Sequence, residues 1–306
     1  LARVEERARA RFLPEAALIA ATIAYGATFK IVQNALEDVT PVGFILLRFS
    51  VGALVLMPFA LARGFRRPDV PNSSGRAFIV SAVFFGAVGF AGYWFQNAGL
   101  ERTTTSNSAF ITGLFVVFTP LIETAVTHRR PPKNVLIAVG VSVVGLYLLE
   151  GAKLSMNAGD ALTLGCAFMF GLWIFIGGQL TQRYDPVALT AAQLTMLALL
   201  AIPVVVIGGM GEITTRVIVA VLVTGIACSA VAFTLQLWGQ RYVEPSRAAV
   251  ILEFEPVVAG IVGFFVGERL GVSGYIGALV ILAGIFIAEG GRLDRSVKDR
   301  RECPDG

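Results

Sequence analysis

Apolar positions along this chain do not alternate with polar ones. They run in blocks of about twenty residues, separated by short stretches rich in Pro, Gly and Arg. A helical block of that length matches the hydrocarbon core of a bilayer. Ten blocks can be placed, at about 14–33, 41–62, 77–98, 105–127, 134–150, 159–181, 187–209, 217–239, 247–267 and 273–290. All are expected to be helices, because a strand left open in lipid cannot satisfy its backbone N–H and C=O groups. The linkers carry residues that stop a helix, as in RGFRRPDVPNSSG at 63–75. The predicted fold class is an all-α membrane protein of ten transmembrane helices.

Composition agrees with that pattern. Of 306 residues, 56% are hydrophobic and 15% charged, where a soluble domain carries about 25% charged residues. The ten blocks leave no room for a large soluble domain. The net charge of +4 points to topology rather than to nucleic acid, because the basic residues sit in the linkers. On one side these include Arg63, Arg76, Arg129, Arg130, Arg241 and Arg247, with both chain ends. The opposite linkers hold only Arg102, Lys153, Arg216 and Arg269. The positive-inside bias therefore predicts cytoplasmic termini and an even number of spans. Cys166 and Cys228 fall in spans and Cys303 in the tail, so no disulfide framework is expected. The basic LARVEERARARF leads into a span-length run, so no removable signal peptide is expected either.

The chain repeats itself. Gly26, Pro41, Arg48 and Pro58 recur as Gly171, Pro186, Gln193 and Pro203. Gln96, Gly99 and Ser106 recur as Gln236, Gly239 and Ser246, and Gly145, Glu150 and Gly151 as Gly284, Glu289 and Gly290. Spans 1–5 thus match spans 6–10. A five-span unit must start its second copy from the other side of the membrane, so the repeats are expected to be inverted, as in many secondary transporters. Residues 14–151 and 159–290 are the expected repeats, with cytoplasmic tails at 1–13 and 291–306.

One stretch sets the mechanistic question. AAVILEFEPVVAGIVGFFV, at 248–266, has the apolarity of a span yet carries Glu253, Glu255 and Pro256. An ionised carboxylate at bilayer depth costs about 2.5–3.5 kcal/mol on insertion scales. Two residues apart, the glutamates point to nearly opposite sides of a helix. Such a helix must be surrounded by protein or line a wet cavity. Pro256 cannot donate to the ladder and crowds the carbonyl of Leu252, which predicts a kink or local opening. Glu253 and Glu255 are candidates for binding a substrate ammonium, carrying a coupling proton, or pairing with Arg48 or a helix end.

In its repeat and in three stretches, the chain resembles the drug/metabolite transporter superfamily, EamA type. The stretches are FILLRFSVG around Arg48, FVVFTPL at 115–121, and EPVVAGIVGFFVGERL at 255–270 followed by GALVILAGIFI. Within that family it is most similar to the YddG-type amino-acid exporters. The resemblance implies ten spans in two EamA repeats and a central cavity lined by spans 1, 3, 4, 6, 8 and 9. It also implies an architectural role for Glu255, since Glu255-Pro256 matches a motif common in the family.

Aromatic faces and amides in those spans suit a small amphipathic ligand. The substrate-binding candidates are Tyr25, Tyr93, Trp94, Gln96, Asn97, Asn107, Phe110, Trp173, Gln236 and Trp238, with Phe29, Ser106 and Phe233 near them. Trp94 and Trp238 also suit interfacial anchoring, and Gln96 and Gln236 helix–helix bonding. Arg48 is expected to be structural, and Lys30 to snorkel. The scarcity of intramembrane Lys and Arg argues against a phosphate-bearing solute. Gly86, Gly89 and Gly92 suit close helix packing. Glu268 is expected to end span 9, and His128 to lie in a loop.

An enzyme is not expected. The sequence holds one histidine, lacks HExxH, GxSxG and GxxxxGK[ST], and suggests neither cofactor nor metal. Nothing resembles a channel filter. The expected function is export of aromatic or other neutral amino acids across a bacterial inner membrane by alternating access, with small-molecule substrate and lipid bilayer as partners. A proton-coupled carrier of drugs or organic cations is the alternative.

Overall fold

A computed structural model describes residues 2–65, 74–151, 157–267 and 271–302, with side chains for those between 12 and 289 other than 105 and 106. The described residues form helices almost throughout: α1 (Ala2–Ala35), α2 (Pro41–Arg63), α3 (Gly75–Leu100), α4 (Thr105–Gly113), α5 (Phe115–Thr127), α6 (Lys133–Glu150) and α7 (Ala158–Leu180) precede α8 (Pro186–Gly208) and α9 (Thr215–Thr224). A π-helical segment (Gly225–Ala232) then leads into α10 (Phe233–Gln240), α11 (Pro245–Leu252), α12 (Glu255–Phe265) and α13 (Val272–Glu302). These make ten helical runs long and apolar enough to cross a membrane, from Phe12–Ala35 to Val272–Glu289. Glu268, Arg269 and Lys153 lie outside the described residues.

Local chemistry sets the starts. The hydroxyls of Thr40, Ser74, Thr104 and Thr214 accept from the N–H groups of Gly43, Ala77, Asn107 and Val217. Asn157 and Asp160 form a reciprocal capping box at α7, and Asp185 caps α8. Each satisfies a donor that the first helical turn leaves open. His128 closes α5 in the left-handed region, at φ 55°, and is exposed.

The helices pack with a two-fold pattern. α2 lies against α8 and α6 against α13, so spans 2 and 7 pair, as do spans 5 and 10. α1 packs on α10 and α12, while α7 packs on α3 and α5. Exchanging the first five spans with the last five leaves this pattern unchanged. Glycines permit the closest approaches. A Cβ on Gly145 would meet the backbone N of Ile281 at 2.8 Å and the carbonyl oxygen of Gly277 at 2.9 Å. Gly86, Gly89 and Gly92 of α3 face Met196, Trp173 and Phe170.

Two spans are broken at matching places. Span 9 opens at Glu253 and Phe254, and Pro256 falls in the first turn of α12, where its missing N–H leaves no bond unmade. Span 4 opens at Leu114 with Pro120 further along α5. Because the fourth span breaks without a proline at its start, Pro256 fits the opening rather than being its sole cause. The two breaks face each other: a Cβ on Gly113 would sit 2.6 Å from Glu253 Oε1.

Candidate functional site

A cavity of about 230 Å³ lies in mid-bundle. One stripe of α1 contributes Tyr25, Thr28, Phe29 and Val32, at the three-and-four spacing of a single helix face. α2 gives Arg48, α3 gives Tyr93 and Gln96, and the span-4 break gives Thr112 and Phe115. α7 adds Phe170, Trp173 and Ile174, α10 adds Phe233 and Gln236, and the span-9 break adds Leu252 and Glu255. These are the spans that the family resemblance implied, with span 2 added through Arg48. Gly26 seats the break of span 9 against α1: a Cβ there would stand 2.7 Å from the carbonyl oxygen of Glu255.

The wall is aromatic and its rings brace one another. Tyr25 meets Phe233 edge-on at 5.6 Å between centroids, Trp173 meets Phe233 at 5.4 Å, and Tyr93 meets Phe170 at 5.2 Å. Such contacts fix ring orientation beyond simple burial. The polar groups are also held. Tyr25 Oη donates to Gln236 Oε1 at 2.8 Å. Arg48 Nε donates to Ser229 Oγ at 2.9 Å, and its guanidinium lies over the Phe49 ring at 5.5 Å. Arg48 is thus anchored by a hydroxyl and a ring. Glu255 and Arg48 supply the two opposite charges of the lining.

Trp173 is fixed from behind. It stacks on Phe85 at 5.5 Å and 11°, and its Nε1 donates to Gln193 Oε1 at 3.1 Å. Gln193, the repeat mate of Arg48, is fully buried and its Nε2 has no partner among the described residues. Trp173→Phe keeps the stack but orphans the whole Gln193 amide. The expected cost is about 1–3 kcal/mol, read as a lower melting temperature of the detergent-solubilised protein. Adding Gln193→Leu should restore most of it, since removing both partners is nearly neutral.

Of the residues singled out in sequence, Tyr25, Arg48, Tyr93, Gln96, Trp173, Gln236 and Glu255 come together here. Six others stand elsewhere. Trp94 is 45% exposed on the outer face of α3 beside Phe95, and Trp238 packs on Tyr242. Asn97 is off the cavity face. Asn107 is buried in the first turn of α4, and Phe110 turns to Tyr147 and the α6–α13 side. Glu253 is 1% exposed, wedged against Gly113 with neither oxygen hydrogen-bonded among the described residues. For the two tryptophans the reason is helical phase: neighbouring residues are about 100° apart on a helix, so Trp94 is turned away from the face of Tyr93 and Gln96, and Trp238 from that of Gln236. The same spacing finds what residue type alone missed: Phe170 precedes Trp173 by three positions, and Thr28 follows Tyr25 by three. Lys30 is outside the cavity and donates to Gln33 at 2.9 Å.

Residues 13–150 and 157–289 match the family model described as the EamA-like transporter family. An uncharacterized transporter of Archaeoglobus fulgidus is 32% identical over 279 residues, spanning 90% of this chain and 86% of its own length. The uncharacterized transporter YyaM of Bacillus subtilis is 22% identical over 289 residues, spanning 89% of this chain and 92% of its own. One crystal structure shares the fold at a TM-score of 0.74 and 16% identity, covering 89% of this chain and 94% of that one.

Proposed function

The chain belongs to the EamA-like transporter family, and from that premise we propose that it exports neutral amino acids, aromatic ones included, by alternating access across a bacterial inner membrane. The observation that carries this reading is the pairing of charges in the cavity. One guanidinium, Arg48, and one carboxylate, Glu255, stand in an aromatic lining with the amides of Gln96 and Gln236. Arg48 takes the carboxylate of a zwitterion as a fork of N–H donors. Glu255 takes the ammonium. The rings of Tyr25, Phe170, Trp173 and Phe233 cover the side chain. Glu253 packs the break of span 9 against the break of span 4 and does not touch the solute.

Two features weigh against the organic-cation alternative. Arg48 repels a lone cation. A cavity of about 230 Å³ is also smaller than the ~300–1,000 Å³ typical of sites for drug-sized ligands. Cavity residues such as Phe29 and Val32 lie toward the end bearing the 36–40, 101–104 and 209–214 linkers. These are linkers poor in basic residues, so the cavity faces outward under the positive-inside rule.

Counterflow in proteoliposomes tests the proposal. Vesicles loaded with unlabelled L-phenylalanine, L-leucine or L-threonine should take up the labelled counterpart with saturation, and tetraphenylphosphonium should give no exchange. Exchange of tetraphenylphosphonium alone, driven by a pH gradient, would overturn the amino-acid assignment in favour of the cation carrier.

A further inference from the structure

A second, polar vestibule of about 720 Å³ lies at the opposite end of the bundle, where α5, α7 and α10 finish and α11 begins. We propose that it is a second binding site for the same zwitterionic solute, a proposal that rests on the amino-acid reading of the central cavity. Gln236 and Gln240 carry the argument. They are four residues apart on α10 and so share one face. The first lines the central cavity and the second lines the vestibule.

Gln240 is 2% exposed, and neither its Nε2 nor its Oε1 has a hydrogen-bond partner among the described residues, so its amide is uncommitted and a turn of the side chain would offer it to the vestibule. A buried polar group left unpaired is costly, so a folded chain normally supplies a partner. Here Gly177 makes the room instead: a Cβ on it would stand 3.0 Å from Gln240 Oε1. An amide offers a donor to a carboxylate and an acceptor to an ammonium.

The rim carries both signs of charge. Arg129 and Arg130 are exposed beyond the end of α5, next to Pro131 and Pro132. Arg241 lies over the Tyr242 ring at 5.2 Å, and its carbonyl accepts from Gln182 at 2.7 Å. Two carboxylates complete the lining: Glu244 is exposed, and Glu123 accepts from the hydroxyl and N–H of Ser246. A phosphate would meet these glutamates as repulsion. A zwitterion matches both halves of the rim. Between the two sites, Phe85, Leu189 and Leu237 form a dry plug against Trp173. That cluster separates the two sites, and one glutamine of α10 lines each.

The test is equilibrium binding of tritiated L-phenylalanine to the full chain in phosphatidylcholine nanodiscs, with L-leucine and L-threonine in parallel. The wild type should bind two molecules per protein. Gln240→Leu and Gln236→Leu should each bind one. Arg129→Ala with Arg130→Ala should weaken the second site about tenfold, the effect of about 1.4 kcal/mol. Those arginines are exposed, so this double variant folds even if Gln240→Leu does not. A single wild-type site that Gln236→Leu abolishes and the other variants leave intact would overturn the vestibular site and leave the transport reading standing. Binding of none of the three amino acids would overturn both. Displacement from the second site by O-phosphoethanolamine in preference to amino acids would overturn it in favour of a lipid headgroup.

Discussion

Arg48→Ala should raise the half-saturating concentration of L-phenylalanine in counterflow by about 10–100-fold. A hydrogen bond to a charged group contributes about 1.5–3 kcal/mol, and each 1.4 kcal/mol is about tenfold in affinity. Among the described residues Arg48 is the one guanidinium in the cavity lining, so no neighbour there substitutes for it. Arg48→Lys should recover part of the loss, because an ammonium restores charge without the planar fork. Phenethylamine, which has no carboxylate, is the control. Whatever residual exchange it shows should not fall in Arg48→Ala. The bond to Ser229 at 2.9 Å also serves the fold, so each variant's melting temperature must accompany its kinetics. Unchanged half-saturation for phenylalanine in a well-folded Arg48→Ala would return Arg48 to a structural role.

The second large effect concerns stability. Gly145→Val forces apart two helices whose backbones touch. The new side chain would meet Ile281 N at 2.8 Å and Gly277 O at 2.9 Å, and backbone cannot rotate aside as the end of a side chain can. Overpacking of this kind typically costs 1–3 kcal/mol or more, about 3 kcal/mol here since both contacts are to main chain. Loss of the monodisperse peak in detergent after mild heating is the expected readout. Gly140→Val on the same helix should behave as wild type, because nothing lies within 4 Å of a Cβ there. Equal melting of the two variants would show that α6 and α13 separate at little cost.

The spans were legible because a bilayer demands about twenty apolar residues per crossing, and linkers such as Asp185-Pro186 announce helix starts through known caps. The openings were legible only in part. Pro256 marks the break in span 9, but at Leu114 in span 4 the local signal is only the neighbouring Gly113. That break is set by packing, with Gly113 against Glu253. Residue type selected Tyr25 and Gln236, which line the cavity, but also Trp94 and Trp238, which do not. Attractive side chains at adjacent positions cannot share a face. Glu253 and Glu255 illustrate the reverse: their spacing alone said that they would part, and one faces the cavity while the other is buried against α4.

The π-helical segment Gly225–Ala232 lies in span 8, while its counterpart in the first half, α3, is regular throughout. Two perfectly matched halves would give a carrier two mirror-image resting states of equal energy. A single turn wound differently in one half removes that degeneracy. The segment holds Ser229, the anchor of Arg48, and leads directly into the face bearing Gln236. On the alternating-access mechanism proposed above, it would bias which way the empty carrier rests, and each 1.4 kcal/mol of difference between its windings would shift that ratio about tenfold.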